Sequence, residues 1–206
     1  MEYKTDQEKY WAGPAGDEYI IRNADPAILA ANIAFFAKAL SRTHGIESVL
    51  EFGANIGLNL IAISRLMPLV DIDAVEINSA AVDELEALRV VDDVAKGSIL
   101  DYEIYKIYDL VLSKGLLIHI APDQIWLAYD KIYNASRKYI LLAEYYNPVP
   151  VEIEYRGQHD RLFKRDFAGE ITDIHPDLEL IDYGFIYHRD PNFKQDDMTW
   201  FLMEKK

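Results

Sequence analysis

The stretch Glu51-Phe52-Gly53-Ala54-Asn55-Ile56-Gly57 decides the fold of this chain. It joins Ser48–Phe52, which is typical of a buried strand, to Ile56–Leu66, whose apolar spacing predicts a helix. Glycines at such a junction let the backbone approach a ligand, and the first N–H groups of the helix stay free. Asn55 suits the turn because asparagine adopts left-handed backbone angles readily. The spacing of Gly53, Asn55 and Gly57 fits neither the glycine pattern of a dinucleotide-binding loop nor that of a P-loop. The stretch is therefore either another kind of ligand-binding turn or a plain strand-to-helix turn.

Short apolar runs alternate with helical patterns along the chain, which is typical of a parallel sheet covered by helices on both faces. Strands are predicted at Ser48–Phe52, Asp71–Glu76, Asp92–Ala95, Asp109–Ser113, Tyr139–Glu144, Glu179–His188 and Met198–Glu204. Helices are predicted at Pro26–Leu40, Ile56–Leu66, Ser79–Val90 and Ala121–Ser136. A polar loop without a helix separates the last two strands, so they form an antiparallel hairpin. We expect an α/β, doubly wound, Rossmann-like fold with a seven-stranded, mostly parallel sheet.

The composition excludes several classes of function. The 206 residues include 21 basic and 35 acidic side chains, for a net charge of −14, and no cysteine. Disulfides, thiolate zinc sites, cysteine nucleophiles and cysteine-held iron–sulfur clusters are therefore excluded, and we predict no metal site. The charge argues against a nucleic-acid partner, because phosphates are neutralised by concentrated lysine and arginine.

The length suits one domain over residues 1–206, with an N-terminal helical segment or lid at 1–45 and a core at 46–206. Residues 1–16 carry mixed charges, and no apolar run approaches the ~20 residues of a membrane span. We expect a cytoplasmic protein with no membrane partner. The sequence leaves the oligomeric state open, with a homodimer as one option.

Two glutamates end neighbouring strands beside the glycine turn. Glu51 ends the first strand, and Glu76 ends the second, close to the ~20-residue spacing of an acid that holds ribose hydroxyls. Gly97-Ser98-Ile99 follows the third strand, where an adenine ring fits. Ligands of open α/β sheets bind at the carboxyl ends of the strands, so all these residues belong to one predicted site.

These residues resemble the motifs of class I S-adenosylmethionine-dependent methyltransferases. Residues 49–57 resemble the first motif of that superfamily, Glu76 its ribose-binding acid, and residues 109–115 its fourth-strand motif, whereas Asn55 replaces a glycine and Ser98 an adenine-binding aspartate. The resemblance implies S-adenosylmethionine as cofactor, with Arg22 reaching its carboxylate. The implied cofactor contacts are Tyr19, Arg22, Glu51, Gly53, Ala54, Asn55, Gly57, Asn59, Glu76, Ile77, Asn78, Ser98, Ile99, Lys114 and Gly115.

A narrower resemblance covers nearly the whole chain. Residues 11–13, 16–20, 51–60, 114–120, 143–148, 155–157, 162–170 and 182–191 are similar to methyltransferases associated with pseudaminic acid biosynthesis. This resemblance implies methyl transfer, with a nucleotide sugar such as a nonulosonic acid precursor as one acceptor.

The acceptor is expected beyond the fourth and fifth strands. His119 is a candidate base, with a packed core histidine as the alternative. Glu144 and Tyr146 are candidates to position a cationic nitrogen by charge, hydrogen bonds and ring faces. The remaining acceptor contacts are predicted at Tyr145, Asn147, Tyr155, Arg156, His188 and Arg189. A helix is expected over the charged stretch from Arg156 to Asp166.

The leading hypothesis is methyl transfer to nitrogen or oxygen of a small polar acceptor, either an amino or guanidino compound or a nucleotide sugar. Two alternatives are a nucleic-acid amino-methyltransferase, which Asn147-Pro148 faintly suggests, and a catalytically silent cofactor-binding scaffold.

Overall fold

The computed structural model describes residues 3–23 and 25–206. The strands in chain order are β1 Ser48–Phe52, β2 Asp71–Glu76, β3 Asp93–Lys96, β4 Tyr108–Lys114, β5 Ser136–Glu144, β6 Val151–Tyr155, β7 Gln158–Lys164, β8 Leu178–Ile186 and β9 Met198–Lys205. The helices are α1 Asp6–Trp11, α2 Pro14–Arg22, α3 Pro26–Ala39, α4 Leu58–Leu66, α5 Ser79–Glu86, α6 Ile125–Ala135 and α7 Phe167–Ile174, with a 3-10 helix at Leu117–His119.

Seven strands form one sheet in the order β3-β2-β1-β4-β5-β9-β8. The first five strands of this sheet run parallel, and β9 pairs antiparallel with both β5 and β8. The predicted doubly wound sheet with an antiparallel C-terminal hairpin is confirmed. The chain order reverses between β1 and β4, so a crevice opens at the carboxyl ends of these two strands.

Each face of the sheet carries its own apolar core. Leu50 of β1 belongs to the core that α6 and α7 cover, and its neighbour Val49 belongs to the core that α3 and α4 cover. Adjacent side chains of a strand point to opposite faces, so a strand covered on both sides is apolar at nearly every position. All five residues of β1 are buried.

The glycine turn shortens the predicted helix after β1. Helix α4 begins at Leu58 rather than at Ile56, because Asn55 and Gly57 adopt left-handed backbone angles with φ of 48° and 75°. The bounds predicted for the next two helices are also too wide. Helix α5 ends at Glu86, and helix α6 begins at Ile125.

The helix predicted over the charged stretch from Arg156 to Asp166 is wrong. This stretch contains the turn and second strand of a separate antiparallel pair, β6 and β7. Arg156 and Gly157 have φ of 53° and 77°, as the two central residues of a hairpin turn require. The alternation Val-Glu-Ile-Glu-Tyr at 151–155 indicates a strand, and it corresponds to β6, the first strand of this pair.

The N-terminal segment contains two helices before the predicted one. Thr5 and Glu8 form a capping box that starts α1, and Pro14 lies in the first turn of α2. The division of the chain into a lid and a core remains a prediction. Within the described ranges, no single helix has the length and apolar character of a membrane span, and only α2 and α3 together, bent by 83°, meet that test.

We predict that Gly57→Ala destabilises the fold more than Gly45→Ala does. Both glycines have positive φ, which costs a residue with a Cβ about 1–2 kcal/mol. A Cβ at Gly57 would lie 2.5 Å from a methyl carbon of Leu88, whereas a Cβ at Gly45 meets nothing within 4 Å. We expect an additional loss of about 1–3 kcal/mol for Gly57→Ala, measured by chemical denaturation. Equal losses for the two variants would contradict this account of the turn.

Candidate active site

The glycine turn is held against β2 by backbone hydrogen bonds. The N–H groups of Gly53 and Ala54 both donate to the carbonyl of Val75, at 2.8 and 3.3 Å. Gly53 has φ of 73°, and a Cβ there would lie 3.0 Å from a methyl carbon of Leu116. The turn therefore brings bare backbone to the crevice between β1 and β4.

Glu76 joins this turn to the loop after β2. Its Oε2 accepts from the N–H of Asn55 and its Oε1 from the N–H of Asn78, both at 2.8 Å. The side chain is buried, and burial raises the pKa of Glu76 while the backbone donors oppose that shift. Each carboxylate oxygen can accept a further hydrogen bond, so Glu76 is able to bind ligand hydroxyls as well.

Asn78 uses its side chain to hold the N-terminal helices. Its Nδ2 donates to Oδ1 of Asp17 at 2.8 Å and lies 3.3 and 3.4 Å from the carbonyls of Trp11 and Gly13. Its Oδ1 accepts from the N–H of Ala81 and caps α5. The predicted cofactor residue thus fixes α1 and α2 beside the carboxyl end of β2.

The larger of two adjoining clefts has a volume of about 810 Å³. It is lined by Thr5, Gln7, Glu8, Trp11, Gly16, Tyr19, Gly53, Asn55, Val75, Glu76, Ile77, Asn78, Gly97, Ser98, Ile99, Gly115, Leu116, His119 and Ile120. The cleft runs from the loop after β3, past Glu76, to the 3-10 helix after β4. Most of the residues predicted for ribose, adenine and the candidate base are therefore brought together here.

The smaller cleft has a volume of about 480 Å³. It is lined by Tyr19, Asn23, Ile28, Asn32, Gly53, Ala54, Asn55, Ile56, Leu58, Asn59, Lys114 and Gly115. Tyr19, Gly53, Asn55 and Gly115 line both clefts, so the two meet over the glycine turn.

Three buried oxygens at the smaller cleft have no hydrogen-bond partner among the described residues: Oδ1 of Asn32, Oδ1 of Asn59 and Oε2 of Glu51. Nδ2 of Asn59 donates to the other oxygen of Glu51 at 2.6 Å, which places Glu51 directly behind the cleft. Unpaired buried acceptors are costly, and a ligand ammonium supplies three donors that would satisfy them.

The ionisable groups at this cleft are strongly perturbed. Burial raises the pKa of Glu51 to about 8, and the hydrogen bond from Asn59 and the charge of Lys114 oppose the shift. Burial lowers the pKa of Lys114, and the charge of Glu51 opposes that shift. A buried acid and a buried base at one cleft suit a ligand that carries an ammonium and a carboxylate, as an amino acid does.

His119 lies at the opposite end of the larger cleft. Its Nδ1 lies 2.6 Å from the carbonyl of Arg161, and a carbonyl only accepts, so Nδ1 carries the proton and Nε2 a lone pair. The ring packs against Trp11 at 4.4 Å between centroids and against Tyr155 at 5.4 Å. Burial lowers the pKa of His119 to about 4, so the ring is neutral at pH 7.

Glu144 has a role other than the predicted contact with an acceptor. Its Oε1 accepts from the hydroxyl of Ser113 at 2.8 Å and from the N–H groups of Leu116 and Leu117, both at 3.2 Å. Its Oε2 accepts from the N–H of Ile118 at 3.3 Å. Burial raises the pKa of Glu144 to about 7. The carboxylate is an anchor for the loop that presents His119, and it lines neither cleft.

Most of the other predicted acceptor contacts lie away from both clefts. Tyr145 donates to Asp196, Asn147 donates to the carbonyl of Val149, and His188 bonds Asp197. Tyr146, Arg156 and Arg189 are exposed on the loops after β5, β6 and β8. Tyr155 is the exception, because it packs on His119 and its hydroxyl lies 3.5 Å from Nη1 of Arg22.

Three residues at the clefts were missed. Trp11 lines the larger cleft, and its Nε1 has no partner among the described residues. Glu8 follows Thr5 by three positions, which is the sequence signature of a capping box, but nothing in the sequence placed it at the cleft. Asn32 was detectable as a lone amide inside the apolar helix α3.

Across residues 3–23 and 25–206, no group of three or more histidine, aspartate or glutamate side chains has the arrangement of a metal site.

The comparisons with known proteins rest on structure. The sequence matches no protein-family model and shows no match among curated proteins. Magnesium protoporphyrin IX methyltransferase (ChlM) from Synechocystis PCC 6803, with bound S-adenosylhomocysteine, aligns with a TM-score of 0.72 and 12% identity over 99% of this chain and 100% of that one. The plantazolicin methyltransferase BpumL, in complex with a pentazolic desmethylplantazolicin analogue and S-adenosylhomocysteine, aligns with a TM-score of 0.67 and 13% identity over 97% and 94%.

An S-adenosylmethionine-dependent methyltransferase from Clostridium acetobutylicum ATCC 824 aligns with a TM-score of 0.61 and 10% identity over 93% of this chain and 96% of that one. The chain has the fold of these class I methyltransferases. The narrower resemblance to enzymes associated with pseudaminic acid biosynthesis remains a prediction.

We predict that Glu144→Ala destabilises the protein by about 1–3 kcal/mol, because the hydroxyl of Ser113 and three backbone N–H groups of the loop after β4 would lose their acceptor. Chemical denaturation at pH 6, below the raised pKa of Glu144, measures the change without the cost of a buried charge. The matched control is Glu152→Ala on β6, whose carboxylate is partly exposed. If Glu144→Ala costs no more than the control, the anchoring role is wrong.

Proposed function

We propose that the protein is an S-adenosylmethionine-dependent methyltransferase that acts on a small polar acceptor. The observation that carries the proposal is the smaller cleft, which Lys114, Asn32 and Asn59 line, with Glu51 bonded to Asn59 behind it. One oxygen of each of Asn32, Asn59 and Glu51 is buried without a partner among the described residues. This cleft opens over the glycine turn into the larger one, where Glu76 lies at the end of β2. A ligand with an amino-acid end joined to a nucleoside matches the two clefts. Its amino-acid end suits the smaller cleft, and its nucleoside suits the larger one.

S-adenosylmethionine supplies an electrophilic methyl group on a positively charged sulfur. Different residues would bind its carboxylate, its ammonium group, its ribose and its base. Lys114 would pair with the carboxylate, and Glu51 with Asn32 and Asn59 would accept from the ammonium. Glu76 would accept from ribose hydroxyls in the larger cleft, whose apolar walls suit a base.

The acceptor would enter beside His119 and Tyr19. Tyr19 lines both clefts, and the indole of Trp11 packs against both Tyr19 and His119. These rings wall the crevice with aromatic surface. The neutral His119 offers Nε2 as a hydrogen-bond acceptor, which orients an O–H or N–H for in-line attack. A histidine with a pKa near 4 holds a proton weakly, so orientation outweighs proton removal in its contribution.

The contacts of Glu144 bear on the class of acceptor. A cationic acceptor depended on a free carboxylate at the end of β5, and that carboxylate accepts four hydrogen bonds from Ser113 on β4 and the loop after β4. A hydroxyl or a neutral N–H is therefore the better match to the crevice, and a hydroxyl of a nucleotide sugar belongs to this class.

Turnover separates an enzyme from a cofactor-binding scaffold. The protein is incubated with methyl-labelled S-adenosylmethionine and separate sets of sugar-nucleotide, amine and oligonucleotide acceptors, and labelled products are measured. We expect label on a small acceptor and a loss of roughly 10²-fold in kcat for His119→Ala, with a much smaller change in cofactor affinity. His159→Ala, an exposed histidine on β7, is the control. Label only on oligonucleotides, or cofactor binding without turnover on any acceptor, would contradict the proposal.

We predict that S-adenosylhomocysteine binding releases a proton at pH 7. Glu51, with a pKa near 8, is mostly protonated there, and a ligand ammonium favours its ionised form. Affinity therefore rises from pH 6 to pH 8, by up to about tenfold per pH unit, and levels off above the pKa. Calorimetry in buffers of different ionisation enthalpy counts the protons.

The matched variant for this measurement is Glu51→Gln, which keeps the shape and cannot ionise. We expect it to bind more weakly and to release no proton. Proton release of the same size in Glu51→Gln would place the titrating group elsewhere. Absence of binding to the wild-type protein at millimolar ligand would overturn the cofactor assignment.

A further inference from the structure

Glu8 has a buried carboxylate oxygen that no other described residue contacts by a hydrogen bond. Its Oε2 accepts from the N–H and the hydroxyl of Thr5, at 2.7 and 3.1 Å, and this completes the capping box of α1. Its Oε1 is buried without a partner in the described parts of the chain. The residue is 5% exposed and lines the larger cleft. A carboxylate oxygen only accepts, so its missing partner is an N–H or O–H donor.

Contacts at both ends of α1 locate Glu8 between the loops after β2 and β3. On one side, Lys4 donates to the carbonyl of Leu100 at 3.3 Å and forms an ion pair with Asp101. On the other side, the carbonyl of Trp11 accepts from Asn78, two residues beyond the end of β2. Glu8 lies midway along the helix between these two anchors.

The same part of the cleft is walled by apolar side chains. Ile77 follows β2 and Ile99 follows β3, and both line the cleft next to Glu76. A flat heterocycle attached to a sugar on Glu76 would therefore lie between these side chains. The hydroxyl of Ser98 accepts from the N–H of Leu100 at 3.1 Å, which leaves its O–H to donate to a ring nitrogen.

Glu8 and Glu76 are the acidic residues that line this cleft in the described chain. Both oxygens of Glu76 accept from backbone N–H groups of the surrounding loops. Within residues 3–23 and 25–206, the one carboxylate oxygen at the cleft without a partner is Oε1 of Glu8. Trp11, which packs against His119, lies one helical turn further along α1, so Glu8 is on the side of the cleft towards β3.

We propose that Glu8 recognises the exocyclic amine of the adenine ring and makes the cofactor site selective for an aminopurine. This inference rests on the proposed function, because it concerns the base of the same cofactor. An amine donates to Oε1 and satisfies it. A carbonyl at the same ring position, as in hypoxanthine, presents a lone pair to the carboxylate and is rejected.

The test compares S-adenosylhomocysteine with S-inosylhomocysteine, in which a carbonyl replaces the exocyclic amine. Calorimetry measures the dissociation constants of both ligands for the wild-type protein, for Glu8→Gln and for Lys9→Gln. Glutamine preserves the capping box, since its side-chain oxygen also accepts from Thr5. Lys9 is an exposed neighbour on α1 and controls for changes in the helix itself.

We expect the wild-type protein and Lys9→Gln to prefer the adenosyl ligand by roughly ten- to hundredfold. In Glu8→Gln the amide can donate to the ring carbonyl, so the preference should fall by about tenfold or more. The ratio of the two constants is the decisive readout, because a general weakening of α1 would affect both ligands equally.

The two proposals fail in different ways. If the wild-type protein binds S-adenosylhomocysteine and Glu8→Gln leaves the preference unchanged, the role of Glu8 is overturned and the cofactor assignment stands. If the wild-type protein binds neither ligand, the proposed function itself fails.

Discussion

The carboxylate of Glu76 is the contact on which the rest of the site depends. It binds the N–H of Asn55 in the glycine turn and the N–H of Asn78 in the loop after β2. Asn78 in turn caps α5 and holds the backbone at Trp11 and Gly13 with its side-chain amide. One buried acid thus couples the end of the sheet to both N-terminal helices that close the larger cleft.

Three other buried glutamates show how position decides what a carboxylate does. Glu144 accepts four hydrogen bonds from β4 and the loop after it, so it holds the loop that presents His119 and lines neither cleft. Glu51 and Glu8 each keep one oxygen without a partner in the described chain, and each belongs to a different end of the proposed cofactor site. Most of the 35 acidic side chains lie at the surface, and these few buried carboxylates act through single oxygens.

Much of the sheet followed from the sequence because its strands are apolar on both faces and its helices carry one apolar face. The turn at Asn55 followed from local backbone preference, and the structure gives this residue φ of 48°. The charged stretch around Arg161 was assigned to the wrong element, because charge patterns report solvent exposure more directly than helix or strand. Its strand is exposed over its first half, so the apolar period there is weak.

The residues of the site could be predicted only where a sequence motif places them at the end of a strand. Glu51, Glu76 and Gly53 are all at strand ends, and parallel topology brings strand ends together. Glu8 and Asn32 come to the clefts through the packing of α1 and α3, which no spacing rule specifies. The role of Glu144 depended on where the N–H groups of residues 116–118 point, and such backbone geometry exists only in the folded chain.

The most direct test of the account is a crystal structure of the protein with S-adenosylhomocysteine. We expect the amino-acid end in the smaller cleft, with its carboxylate at Lys114 and its ammonium within hydrogen-bond distance of Asn32, Asn59 and Glu51. The ribose hydroxyls should bind Glu76, and the base should lie in the larger cleft. A ligand bound outside these clefts, or bound with the amino-acid end away from Lys114, would contradict the account.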